Sequence, residues 1–130
     1  MTTAELEQRY RAYLAALNER RFEDLDQFVH DRLTYNDEPM TRRQYRDLIA
    51  DDVAAVPDLV FDVGMLVVAD YEVACRLMFD CTPEHEFLGF SPNGERIAFT
   101  EHVFYRFREG RIANVWSLID REAIEQQLTR

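Results

Sequence analysis

Near residue 59 the apolar spacing of this chain changes from helical to alternating, and the fold must accommodate both regimes around one core. Before that point, Leu6, Tyr10, Tyr13, Leu14 and Leu17 mark one face of a helix over about 3–17. Thr2 and Glu5 precede that stripe in capping-box form: the Thr side chain accepts from a free amide and Glu5 reaches back. Phe22, Leu25, Phe28 and Val29 suggest a short helix over 22–29, and 33–36 reads as a brief strand. A second capping box, Thr41 with Gln44, opens a helix over 41–55 whose stripe is Tyr45, Leu48, Ile49 and Val53. Pro57 closes that region, because it cannot donate a helical hydrogen bond.

After the change, candidate strands run over 59–68, 71–80, 86–90, 96–107 and 111–119, and a closing amphipathic helix follows. Ala69-Asp70, Pro92-Asn93-Gly94 and Glu109-Gly110 supply the turns, and Gly64 inside the first strand marks a bulge. Three helices followed by a long meander imply an α+β fold: a cone-shaped, curved antiparallel β-sheet wrapped around three N-terminal helices, with a short C-terminal helix. A sheet curled this far leaves a blind cavity between its inner face and the helices, and such concavities are where small ligands bind.

At 130 residues, 47% of them hydrophobic, the chain forms one domain with a core that needs no staples. A formal charge of −10 argues against nucleic acid as a partner, since phosphate binding needs clustered cations. No apolar run approaches membrane-spanning length and residues 1–20 do not read as a signal peptide, so the expectation is a soluble, cytoplasmic protein with no membrane partner. Cys75 and Cys81 fall on one extended segment, where six residues span roughly 20 Å, too far for a disulfide. They read as buried thiols, and no residue spacing suggests a metal site.

Alternation then sorts the faces. Val103/Tyr105/Phe107, Val115/Ser117/Ile119 and Val73/Leu77/Phe79 form the concave set. Phe104, Trp116 and Leu118 remain outside, among His102, Arg106 and Asn114. An aromatic patch of that kind on a sheet is usually covered, and a second copy of the chain is the economical cover, so a homodimer is expected. His30 and His85 read as loop residues.

Several short stretches carry a resemblance when taken in order: Leu17-Asn18, Phe28-Val29-His30-Asp31, Tyr35-Asn36, Glu86-Phe87-Leu88-Gly89-Phe90 and Pro92-Asn93-Gly94-Glu95-Arg96. Arg106, Gly110-Arg111-Ile112, Trp116 and Gln126-Gln127-Leu128 complete the set. Together they resemble the SnoaL-like polyketide (ester) cyclases of the nuclear-transport-factor-2-like superfamily. That resemblance implies a cofactor-free aldol closure driven by an Asp acid/base, assisted by a His on the adjacent strand. In this chain the Asp position falls on Ser117, an accompanying His position on Val115, and the adjacent-strand His position on Val103. A serine hydroxyl cannot replace a carboxylate as base.

Other groups are candidates for the chemistry. Glu101 shares the concave face, where desolvation would raise its pKa toward neutrality. Asp120, at the strand–helix junction, reads first as a helix N-cap and second as a catalytic acid. Tyr35, Asn36, Tyr45, Tyr105 and Ser117 are the expected polar lining of an otherwise apolar pocket. Two readings follow. One is a cyclase, isomerase or lyase acting without cofactor or metal on a small, mostly apolar, polyketide-like carbonyl compound. The other is a non-catalytic binding or accessory dimer that uses the same pocket.

Overall fold

The computed structural model describes residues 1–128. Helix α1 (Thr3–Asn18) is followed by a 3₁₀ turn (Phe22–Gln27), β1 (Val29–Tyr35), β2 (Glu38–Thr41) and α2 (Arg42–Ala55). Then come β3 (Asp62–Val68), β4 (Glu72–Cys81), β5 (Ile97–Arg108), β6 (Arg111–Ile119) and α3 (Arg121–Leu128). The strands form one curled, open sheet in the order β2-β1-β6-β5-β4-β3. Among the described residues, no helix is long and apolar enough to cross a membrane.

Local chemistry accounts for most of these boundaries. Both capping boxes form: Thr2 Oγ1 accepts from Glu5 N at 3.1 Å, and Thr41 Oγ1 accepts from Gln44 N at 3.1 Å. The chain reverses at Glu109 (φ 53°) and Gly110 (φ 77°), a left-handed pair that pins Arg108 opposite Arg111. Gly64 sits at the register shift of β3 against β4, as its place in the sequence implied. A Cβ there would lie 2.6 Å from Met78 Sδ and 3.2 Å from the Arg76 carbonyl oxygen, so a close backbone approach requires glycine.

The structure differs from expectation in several places, one being the short strand β2, which the sequence reading lacks. The region 86–90 is not a strand: Phe87 and Phe90 exchange backbone hydrogen bonds across Leu88 (φ 52°) and Gly89 (φ 84°), which fold it into a tight turn. The second helix is a 3₁₀ turn ending at Gln27, and β1 begins at Val29, earlier than the expected strand. His30 is therefore a buried strand residue, its Nε2 2.6 Å from the Arg108 carbonyl oxygen. Finally, the sheet is not wholly antiparallel, because β1 pairs with β6 in parallel while the other four pairings are antiparallel. The chain leaves β1 through β2 and α2, and returns to it only with the last strand.

Tyr10, Tyr13, Leu14 and Leu17 of α1 and Tyr45 and Ile49 of α2 pack on the concave face against Val73, Leu77, Phe79, Val103, Tyr105 and Val115. Each fully buried side chain of this size contributes about 1.5–3 kcal/mol. Cys75 and Cys81 are free and buried, both on β4. An extra residue in β6, Ala113, lets Ile112 turn inward as well, so Ile112, Ala113 and Val115 are all buried. Outside, two cross-strand rows run over four strands: Met65–Arg76–His102–Leu118 and Val67–Ala74–Phe104–Trp116.

Because Thr41 caps the helix that carries Tyr45 into the core, Thr41→Ala should lower global stability by about 1 kcal/mol. Urea unfolding of parent and variant measures it; an unchanged midpoint would show that the cap contributes nothing.

Candidate functional site: a tyrosine-lined cavity with two carboxyl groups

Between the inner sheet face and the helices lies a cavity of about 70 Å³. Its polar lining comes from four elements: Tyr13 of α1, Tyr35 of β1, Tyr45 and Asp52 of α2, and Glu101 and Tyr105 of β5, the rest being apolar side chains that include Val115 and Ile119 of β6. Glu101 occupies the inner row Val63–Leu77–Glu101–Ile119, in which every other member is apolar. That placement desolvates its carboxylate and raises its pKa, while a hydrogen bond from the Ser117 hydroxyl works in the opposite direction. Ser117 is next to Val103 in the ladder, so its hydroxyl reaches Glu101 diagonally from β6.

The tyrosines form one cluster. Tyr13 and Tyr45 share a hydrogen bond of 2.6 Å between hydroxyls. Tyr105 packs its ring 5.0 Å from Tyr10 and 6.0 Å from Tyr13, and Tyr35 lies 6.1 Å from Tyr45. Burial raises the pKa of Tyr13, Tyr35, Tyr45 and Tyr105, so all four hydroxyls stay protonated as donors. One hydroxyl proton of the Tyr13–Tyr45 pair is spent in their bond, and the other is available to the cavity.

Asp52 escaped the sequence reading, although a signal was there. It lies seven residues after Tyr45 and three after Ile49, which puts an acid on the apolar stripe of α2. It is half-buried, and its carboxyl is pushed up to about 7, first by burial and then by the charge of Glu101. Burial thus raises both carboxyl groups, and the charge of Glu101 raises Asp52 further.

Two other candidates stand elsewhere. Asn36 is exposed at the β1–β2 turn (φ 49°), and its Oδ1 accepts from Ser117 N at 2.8 Å; it positions β6 and does not line the cavity. Asp120 is exposed and accepts from Ala123 N at 3.1 Å, which makes it the N-cap of α3, outside the cavity. On the outer face, Phe104 and Leu118 are 57% and 74% exposed. Trp116 is only half-exposed, because its indole N–H donates to Asp37 and the Arg106 guanidinium lies over its ring at 5.3 Å.

An acid whose pKa is raised by folding binds more protons folded than unfolded between the two values, so stability falls as pH rises through that window. For Asp52 the window runs from about 4 to about 7. Asp52→Asn should therefore unfold at higher denaturant than the parent at about pH 8, the difference vanishing by about pH 4. A constant difference across that range would mean that Asp52 is not desolvated.

The comparisons with known proteins agree with this fold. No curated protein matches the chain. A SnoaL-like polyketide cyclase from Agrobacterium tumefaciens has a crystal structure similar to this one, with a TM-score of 0.91 and 44% identity over 98% of this chain and 99% of that one. TsrD from Streptomyces laurentii (TM-score 0.88, 23% identity, 98% of this chain and 97% of that one) shares the fold. AclR from Streptomyces galilaeus does so too, with a TM-score of 0.83 and 22% identity over 98% of each chain. The family model for SnoaL-like polyketide cyclases matches residues 7–128, and the chain belongs to that family.

Proposed function

We propose that this protein is a cofactor-independent, cyclase-like enzyme that moves protons on a small, mostly apolar carbonyl compound, with Glu101 as the catalytic base. The observation that carries the reading is the bond from Ser117 to Glu101. Ser117 holds the position at which the family resemblance implies an Asp, and a carboxylate from the neighbouring strand comes to rest on its hydroxyl. The acid/base group is retained and its strand of origin has changed from β6 to β5. A carboxylate with a raised pKa and an apolar surround is suited to removing a proton next to a carbonyl. Hydroxyls of Tyr35 and Tyr45, held neutral by burial, can donate to the oxygen on which charge develops. A volume of about 70 Å³ suits the reacting end of a ligand, with its remainder over the mouth near Leu48, which is 43% exposed.

Glu101→Gln should reduce turnover by on the order of a hundredfold with little change in ligand binding. Ketones that bind the parent without turnover, and bind Glu101→Gln equally well, would favour the non-catalytic binding protein instead.

The same reading includes a homodimer through the outer sheet face. The support is the contiguity of Met65, Val67, Phe104 and Leu118, all more than half exposed, within two neighbouring cross-strand rows. A two-fold contact lets this one patch cover itself and needs no other partner. Phe104→Glu leaves the core untouched and should sediment as a monomer where the parent is a dimer. A monomeric parent at micromolar concentration would rule the dimer out.

A further inference from the structure

We infer that Asp52 is the acid partner of Glu101: Glu101 takes a proton from the carbon beside the carbonyl while Asp52, from the opposite wall, delivers one to the carbonyl oxygen. The inference rests on the proposed acid/base function and extends it to a second catalytic residue and to enolisable ketones as the substrate class.

The geometry is what assigns the role. Both carboxyl groups line one cavity, Glu101 from the sheet and Asp52 from α2, so a ligand seated between helix and sheet meets one on each side. The cation nearest these groups is Arg11 of α1, which acts on Cys75 and does not line the cavity. Facing the pair are Tyr13 of α1, Tyr35 of β1, Tyr45 of α2 and Tyr105 of β5, with Cys75 on β4 and Asp51 beside Asp52 on α2. Among the described residues, neither Lys, Arg nor His lines the cavity. Two acids in one apolar site without a counter-charge share a proton, because both cannot ionise cheaply. Ser117 decides which one keeps it. Its hydroxyl donates to Glu101 and stabilises the carboxylate there, whereas among the described residues no hydrogen bond reaches the Asp52 side chain. Near neutrality the resting pair is thus Glu101 as carboxylate and Asp52 as acid.

The proton balance closes on that starting state. Glu101 gains the proton from carbon and Asp52 gives its own to the carbonyl oxygen, leaving a neutral enol. Returning the Glu101 proton to a different carbon, while Asp52 recovers the enol proton, yields an isomer and restores both groups. If the enol carbon instead attacks a second carbonyl of the same molecule, the Glu101 proton goes to the new alkoxide, Asp52 recovers the enol proton, and the product is a cyclised aldol with both groups restored. Neither route requires an oxidant or reductant.

The test uses α-tetralone, a bicyclic ketone with exchangeable protons beside its carbonyl, and follows their replacement by deuterium in D₂O by NMR. The parent should accelerate exchange, with a bell-shaped pH dependence. Asp52→Asn, which relieves a buried charge and so should stay folded, should lose tenfold or more in rate and lose the basic limb. Glu101→Gln should lose the acidic limb, and carboxyl carbon NMR should show Asp52 titrating at lower pH in that variant. Loss of exchange in Glu101→Gln with full rate and an intact basic limb in Asp52→Asn would overturn this inference and leave the proposed function standing. A parent that does not accelerate exchange overturns both.

Discussion

The two-residue turn at Glu109 and Gly110 sets the register of β5 against β6, and every side chain that faces the cavity depends on it. Strand side chains alternate, so a slip of one residue would carry Phe104 and Trp116 into the core and turn Glu101 and Ser117 to solvent. The left-handed pair prevents that slip by fixing Arg108 opposite Arg111. Further along the ladder, Val103 meets Ser117 and Glu101 meets Ile119, which brings a carboxylate and a hydroxyl together diagonally. β5 also pairs with β4 from Ile97 to Arg106, so its orientation is held from both sides.

On that frame sits an electrostatic arrangement that folding alone does not favour. A carboxyl on an apolar inner row and another on an apolar helix stripe both have raised pKa values, and each costs stability once ionised. Hydrophobic packing around them, from Leu77 and Val103 to Ile49, offsets that cost. The tyrosines fit the same logic: they place hydroxyl groups inside the core without introducing charge. Such a site is largely apolar, acidic and rich in neutral donors.

Much of this was legible in the sequence, for identifiable reasons. Alternation placed Glu101, Tyr105 and Ser117 on the inner face because β5 and β6 are long and joined by an unambiguous turn. Gly64 announced its bulge, and Asp120 was read first as the cap that it forms. The failures also have physical causes. Phe87 and Phe90 look like strand residues, but Gly89 between them takes a left-handed conformation and closes a turn. The parallel pairing of β1 with β6 is a contact across some eighty residues, such as Tyr35 with Val115, and no local pattern reports it. Asp52 was passed over because a single acid at a stripe position reads as a surface residue until the opposite wall is known.

The curled sheet does not close, and its two free edges differ from its faces in what they can bind. At one end β2 is only four residues long and contains Pro39, which has no amide hydrogen to offer a neighbouring strand. At the other, β3 carries the irregularity at Gly64, and such a bulge twists an edge away from further pairing. Neither border therefore presents a long, regular row of amides and carbonyls to another chain. Growth of the sheet from molecule to molecule, the route toward cross-β aggregates, is discouraged at both ends. Contact between copies is thereby left to the faces of the sheet rather than to its edges.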